Sequence, residues 1–170
     1  MKRAGKIYIN QHGFTMFELV IVLILLSIFA TVVASRFGSN GVEIITNTDI
    51  LKSHLRYAQI KAMGDILQPN SNKSRWEIYI PDTTSYTLYR RNDSDVRIGF
   101  NLPDETPLSP THTLLSGVTL ASSRDTIAFN DWGIPVDGSG DPLSADVTIT
   151  LSDGSQTASL TITKNTGYIP

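Results

Sequence analysis

The chain contains one long apolar run near its N-terminus, GFTMFELVIVLILLSIFATVVA at residues 13–34. Within residues 14–34 the single charge is Glu18, and a helix of this length would extend roughly 31 Å, enough to cross the hydrocarbon core of a bilayer. The basic residues before the run are Lys2, Arg3 and Lys6. Because positive charge favours the cytoplasmic side, we expect a single membrane span with a cytoplasmic N-terminus and the rest of the chain outside.

The composition of the 170 residues excludes several kinds of site. Without cysteine there is no disulfide scaffold, thiolate zinc site or thiol nucleophile. The three histidines, His12, His54 and His112, are too widely spaced in sequence to indicate a metal cluster. The sequence has no Gly-x-Ser-x-Gly elbow, phosphate-binding glycine loop or paired-carboxylate constellation, so we expect no catalysis and no cofactor.

The start of the apolar run, GFTMFELV at residues 13–20, resembles the type III signal of type IV pilins and type II secretion pseudopilins. The resemblance implies that a prepilin peptidase cuts between Gly13 and Phe14 and methylates the new amine of Phe14. It also implies an assembly or registry role for Thr15 and Glu18, with the Glu18 carboxylate meeting the N-terminal amine of a neighbouring subunit. A carboxylate in a membrane or filament core is costly unless it is paired.

The apolar run is also compatible with two simpler kinds of segment. It could be an ordinary secretory signal peptide, cleaved near the small residues Ala30, Ala34 and Ser35. It could also be a plain uncleaved anchor, in which Glu18 simply sits at the level of the lipid headgroups. Neither alternative accounts for a carboxylate on the fifth residue after Gly13.

The next part of the chain predicts a break and a second helix. Residues 36–41, RFGSNG, are rich in helix breakers, and an amphipathic helix is predicted over Ile50–Leu67, with Asp49 as a possible N-cap. The apolar stripe comprises Ile44, Leu51, Leu55, Ala58, Ala62 and Ile66, with Asn47 or Thr48 filling a gap. The expected solvated face carries Lys52, Arg56 and Lys61. His54 is predicted to be a surface or helix-side histidine.

Beyond Pro69 the pattern changes to short alternating strands. The predicted strands are 76–80, 86–89, 97–100, 118–120, 126–129, 147–151 and 160–163, the first two forming a hairpin across Pro81-Asp82. The fold class is therefore α+β, with a long N-terminal transmembrane helix and an amphipathic helix packed on an antiparallel sheet or sandwich. The expected divisions are a cleaved leader at 1–13, a filament-core helix at 14–35, a junction and helix at 36–68, and a β-rich periplasmic domain at 69–170.

Three further segments resemble one branch of the pilin family. Residues 51–64, 127–135 and 160–169 are similar to parts of H-type minor pseudopilins, the first also to FimT-like minor pilins. The resemblance implies a minor pseudopilin, a structural subunit of the type II secretion pseudopilus in the bacterial inner membrane and periplasm. Its implied partners are prepilin peptidase, other pseudopilins or pilins, and an inner-membrane assembly platform. The alternatives are a minor type IV pilin for pilus biogenesis, adhesion or DNA uptake, and a membrane-anchored periplasmic enzyme or binding domain.

Two polar features suggest possible binding sites, one for calcium and one for DNA. The loop Asp137–Asp141 is rich in oxygen ligands and could hold calcium, although solvated turn residues account for it better. A basic patch comprising Lys73, Arg75, Arg90, Arg91 and Arg97 could contact DNA. The residues after 100 carry eight acidic and two basic side chains, a balance that does not suit contact with DNA. We therefore expect the basic patch to be a solvated hairpin, and we expect no nucleic-acid partner.

Overall fold

The computed structural model describes residues 15–37, 41–65, 75–92, 94–105, 107–115 and 117–170. The elements in chain order are helices α1 (Met16–Phe37) and α2 (Val42–Met63), then strands β1 (Arg75–Tyr79), β2 (Ser85–Arg91), β3 (Arg97–Gly99), β4 (Thr111–Thr113), β5 (Thr119–Ser122), β6 (Thr126–Phe129), β7 (Pro135–Val136), β8 (Val147–Ser152) and β9 (Thr157–Ile162). The chain divides into two compact units, Met1–Asn40 and Gly41–Pro170. Helix α2 therefore belongs to the same unit as the strands.

Helix α1 is the apolar run that the sequence singles out. Among the described residues it is the one helix long and apolar enough to cross a membrane, over Met16–Val33. Every side chain from Thr15 to Val33 is exposed. Such a surface is stable only against lipid or other apolar helices.

Helix α2 begins eight residues earlier than the sequence predicts. It starts at Val42 rather than Ile50, so Asp49 lies inside the helix and is not its N-cap. The N-cap is Gly41, whose φ of 60° is a left-handed conformation that glycine adopts without strain. The helix ends at Met63 with Gly64 as its C-cap, and the predicted residues 66 and 67 lie outside the described part of the chain.

The strands form two antiparallel sheets. In the larger sheet the order is β3-β2-β1-β6-β7, with β4 also paired to β2, and in the smaller sheet it is β5-β8-β9. The hairpin predicted across Pro81-Asp82 is present, since β1 and β2 pair with Ile78 opposite Leu88. All seven predicted strands exist, with ends shifted by up to three residues, whereas the three-residue β4 and two-residue β7 were not predicted.

The core lies between α2 and the two sheets. The helix contacts β1 and β6 of the larger sheet and β8 and β9 of the smaller one. The predicted stripe is buried at Ile44, Leu51, Leu55, Ala58 and Ala62, and Asn47 fills its gap. The alternating residues of β8 and β9 that face this core are Val147, Ile149, Leu151, Leu160 and Ile162. The expected architecture of a helix packed on antiparallel sheets is confirmed.

Candidate assembly site

The N-terminal end of α1 carries Thr15 and Glu18, the two described residues for which the sequence resemblance implies a role in assembly. Thr15 precedes the first helical residue, and its Oγ1 accepts a hydrogen bond from the backbone N–H of Glu18 at 3.2 Å. Glu18 is the third residue of the helix, so the pair has the Thr-x-x-Glu spacing of a capping box. The proposed cleavage residues Gly13 and Phe14 lie outside the described residues.

This geometry gives Thr15 a capping role that was not predicted from the sequence. A threonine followed three residues later by glutamate, just before an apolar run, is a sequence signal for a helix start. The exposed Glu18 carboxylate lies in the first turn, where the positive end of the helix dipole favours negative charge. The helix therefore begins at a defined residue, and Glu18 is displayed at its end.

The hydroxyl groups of Ser27 and Thr31, farther along α1, are satisfied within the helix. Ser27 Oγ donates to the carbonyl of Ile24 at 2.7 Å, and Thr31 Oγ1 donates to the carbonyl of Ile28 at 2.8 Å. Such internal bonds reduce the cost of placing a hydroxyl in an apolar environment. Beyond the single charge of Glu18, the helix surface as far as residue 33 therefore offers apolar packing.

The globular unit contains a buried polar cluster whose position the sequence pattern did not indicate. His54 is fully buried, so the predicted surface or helix-side location is wrong, because its position on α2 faces β2 and β4. Its Nδ1 lies 2.8 Å from the Tyr86 hydroxyl, and its ring meets the His112 ring at 5.4 Å between centroids. The Asp104 carboxylate lies 3.7 Å from Nε2, and Glu105 binds His112 Nδ1. A partner 32 residues away cannot be read from local helix periodicity.

The arginines of the suggested basic patch are occupied by partners inside the domain. Arg90 donates from Nε and Nη2 to Asp65 at 2.6 and 3.1 Å. Arg91 and Arg97 both bind Glu77, a carboxylate that is 1% exposed. These pairs hold β1, β2 and β3 together, and they remove the free positive charge that binding to DNA phosphates would need.

Arg75, a further member of the basic patch, also has its partner inside the domain. Arg75 is buried and donates from Nη2 to the carbonyl of Gly138 at 2.6 Å. Lys73 lies outside the described residues. Within the described part, the patch is thus a set of internal cross-links.

Comparison with known proteins bears on each unit separately. Residues 9–34 match the family model of the prokaryotic N-terminal methylation motif. The fold is similar to that of two solved structures of the minor pseudopilin EpsH from the type 2 secretion system of Vibrio cholerae. One has a TM-score of 0.55 at 11% identity over 75% of this chain and 94% of that chain. The other has a TM-score of 0.53 at 12% identity over 75% and 92%.

The chain carries a prokaryotic N-terminal methylation motif and a globular unit with the fold of the minor pseudopilin EpsH. No curated protein sequence matches it. Neither the matched motif nor the matched structures are those of an enzyme. The apolar α1 helix and the motif fit a membrane-anchored protein with a globular domain.

In the loop Asp137–Asp141 the first carboxylate is bound by backbone groups of the loop itself. Asp137 Oδ1 accepts hydrogen bonds from the backbone N–H groups of Ser139 and Asp141 at 2.8 and 3.0 Å. These bonds favour the charged form and lower the pKa of Asp137. Among the described residues, no group of three or more His, Asp or Glu side chains is arranged to hold a metal ion.

Two segments with family resemblance meet on α2. Gln59 Nε2 donates to the carbonyl of Gly133 at 2.8 Å and to that of Gly167 at 2.9 Å. It thereby joins the turn of residues 130–134 to the chain around residue 167. Gln59 was not predicted as a contact residue, because a half-buried glutamine between core positions has no distinguishing local signal.

Proposed function

We propose that this protein is a minor pseudopilin, a structural subunit of the pseudopilus of a type II secretion system. What carries the proposal is the combination of a methylation motif over residues 9–34 with a globular unit that has the EpsH fold. In this proposal the globular domain lies in the periplasm and α1 is held in the inner membrane until assembly. A fully exposed apolar helix suits both settings, because lipid and neighbouring helices are equally apolar.

The proposed processing would create the charge that Glu18 needs. Cleavage between Gly13 and Phe14 would leave a positive amine on Phe14, which methylation keeps basic. In a bundle of apolar helices, one amine–carboxylate pair between neighbouring subunits would fix how far each helix slides along the next. The pair is effective there because a charge left unpaired in an apolar environment is strongly unfavourable.

The processing step is tested by mass spectrometry of the full-length chain co-expressed with a prepilin peptidase. We expect a product that lacks residues 1–13 and carries one added methyl group on Phe14. The matched control is the same co-expression with a catalytically inactive peptidase, which should leave the mass unchanged. Cleavage near Ala34 instead, or an unchanged mass with active peptidase, would refute the proposal.

The secretion system is tested by deleting the gene and comparing the strain with its parent. A type II pseudopilin predicts loss of secreted proteins from the medium and their accumulation in the periplasm, with surface pili retained. Loss of surface pili with secretion intact would instead assign the protein to a type IV pilus. Complementation with the wild-type chain controls for effects on neighbouring genes.

A further inference from the structure

The globular unit displays four large exposed apolar side chains on segments that meet at Gln59. We call them the Trp132 surface: Ile60 and Met63 on α2, Trp132 in the turn between β6 and β7, and Tyr168 after β9. Their exposed fractions are 62%, 48%, 78% and 65%. Gly133 follows Trp132 in the chain, and Gly167 precedes Tyr168. These two glycines contact each other and Gln59. Three separate parts of the chain therefore meet beside Gln59, and each of them carries at least one exposed apolar side chain.

The turn that carries Trp132 is held rigidly. Asn130 Oδ1 accepts hydrogen bonds from the backbone N–H groups of Trp132 at 3.0 Å and Ile134 at 2.9 Å. The N–H of Gly133 donates to the carbonyl of Asn130 at 2.9 Å. A fixed backbone lowers the entropy that Trp132 would lose on contact with a partner.

The segment that carries Tyr168 is fixed in the same way. The N–H of Gly167 donates to the carbonyl of Thr163 at 2.7 Å, and the N–H of Thr163 donates to that of Tyr168 at 3.1 Å. Arg56 Nη2 donates to the carbonyl of Ile169 at 3.0 Å. The backbone that carries the exposed Tyr168 side chain is thus held in place by hydrogen bonds.

The shape of the surface suits a protein rather than a small molecule. Two shallow clefts, of about 520 and 470 Å³, flank Ile60, and both are bordered by Arg56. Aromatic side chains bury about 150–250 Å² each when covered. Trp132 and Tyr168 alone would supply a large share of the ~800 Å² that each partner buries in a standard interface.

The charge beside the surface indicates the chemistry of the partner. Lys52 and Arg56 line the clefts, and Lys61 is exposed on the next turn of α2. The acidic residues here are Asp49 in one cleft and the exposed Asp131 in the turn between β6 and β7, so the three cations leave a net positive charge. An acidic partner would pair with this excess positive charge around an apolar centre, the usual arrangement of a polar rim about anchor residues.

We propose that the Trp132 surface docks the globular domain of a neighbouring, different filament subunit, which brings an acidic rim to Lys52 and Arg56. The proposal rests on the filament function proposed above and adds the face through which the domain is held. Trp132 is the central anchor, since tryptophan is enriched among the residues that dominate interface energies. In a filament, this contact between globular domains would then add to the packing of the α1 helices and would select which subunit lies alongside.

The test places a photo-crosslinking amino acid at residue 60 of the full-length chain, in cells that hold the complete assembly machinery. Leu108, which is 70% exposed and lines neither cleft, is the matched control position. We expect a crosslink from residue 60 to a second protein that itself has a methylated, leader-processed N-terminus. Residue 108 should give little or none of it.

Two variants test whether the crosslink depends on the Trp132 surface, and a third variant is the control. Trp132→Ala should reduce the crosslink at residue 60 by at least about tenfold, as loss of an interface anchor does, while leaving the exposed turn folded. Lys52→Glu should also reduce it, by repelling the acidic rim. Leu108→Ala should leave it unchanged.

The outcomes distinguish this inference from the proposed function. A crosslink to a second copy of this chain, to a protein without a processed N-terminus, or equally from residue 108 would overturn the docking surface. If Phe14 is processed and methylated in the same cells but residue 60 gives no crosslink, the docking surface alone is wrong. If Phe14 is not processed, the filament function fails as well.

Discussion

His54 Nδ1 lies 2.8 Å from the hydroxyl oxygen of Tyr86, and this hydrogen bond joins α2 to β2 inside the core. Both side chains are fully buried. Burial lowers the pKa of His54, and the nearby His112 lowers it further, whereas Asp104 and Glu105 act in the opposite direction to a smaller extent. Burial likewise raises the pKa of Tyr86 well above its ordinary range. The pair is therefore neutral in the folded protein at neutral pH.

This pair predicts a loss of stability in acid. The pKa of His54 is lower in the folded state than its ordinary value of 6.5, so the unfolded chain binds the proton more readily. Stability from this group is complete above about pH 6.5 and falls as the pH drops through the window between that value and the lowered pKa. Urea unfolding at a series of pH values measures the effect. The His54→Gln variant should show a smaller decline below about pH 6.5, and an identical pH profile would contradict the assignment.

Removing the phenol hydroxyl isolates the hydrogen bond from the packing. Tyr86→Phe keeps the ring but leaves His54 Nδ1 without its partner, so we expect a loss of about 1–3 kcal/mol in the free energy of unfolding. Tyr168→Phe is the control, because that side chain is exposed. Equal stability of the two variants in urea titrations would show that the bond contributes nothing.

The buried carboxylate of Glu77 predicts a larger effect. It binds Arg91 on β2 and Arg97 on β3, and Glu77→Gln would remove the carboxylate partner of Arg97 and leave Arg91 with Asp95 alone. Breaking a buried pair from one side costs about 3–5 kcal/mol. Thermal unfolding should show a marked drop in Tm for this variant and little change for the exposed control Glu43→Gln. A small drop for Glu77→Gln would mean that solvent replaces the carboxylate at no cost.

Alanine substitutions at two glycines distinguish the cost of backbone strain from the cost of a steric collision. Gly117 and Gly167 both have positive φ, 87° and 65°, so alanine at either costs about 1–2 kcal/mol of backbone strain. An added Cβ at Gly117 meets open space, whereas at Gly167 it collides with the Gly133 carbonyl and Gln59. Gly167→Ala should therefore destabilise the protein more than Gly117→Ala in the same unfolding assay. The reverse order would contradict the packing described around Gln59.

The registry role of Glu18 predicts a defect confined to assembly. Glu18→Ala should be inserted and processed normally but recovered in filaments at a level at least about tenfold lower, since about 1.4 kcal/mol already changes an equilibrium tenfold. Ser27→Ala, on the same helix, should assemble normally because its hydroxyl bonds only within α1. Immunoblots of sheared filaments and membranes measure both fractions. Normal incorporation of Glu18→Ala would exclude the registry role.

The sequence predicted the elements that depend on local patterns. The apolar α1, the stripe of α2 from Ile44 to Ala62 and the alternation in β8 and β9 all follow from periodicity, and the structure has them. The predicted start of α2 was wrong because the polar stretch at residues 46–49, TNTD, resembles a loop when taken alone. In the fold, Asn47 Oδ1 accepts a hydrogen bond from the N–H of Leu115 at 3.2 Å, which makes that polar turn part of the core.

The polar clusters could not be predicted because their partners are distant in sequence. His54 pairs with Tyr86, Gln59 with Gly133 and Gly167, and Glu77 with Arg91 and Arg97. Taken alone, each of these polar residues is of a type that is common on protein surfaces, so its sequence context does not indicate burial. The capping pair Thr15 and Glu18 is the exception, since its spacing is local and its signal was present in the sequence.

The Gln59 carboxamide also sets an order of events during synthesis. Its two carbonyl partners lie 74 and 108 residues farther along the chain, so α2 is made long before either is available. Contacts at such separation form late in folding, after the loops between them have closed. A translation product that stops before Gly167 could still enter the membrane through α1, yet it would lack the anchored Tyr168. A truncated product would therefore lack one side chain of the Trp132 surface, which we propose binds the next subunit.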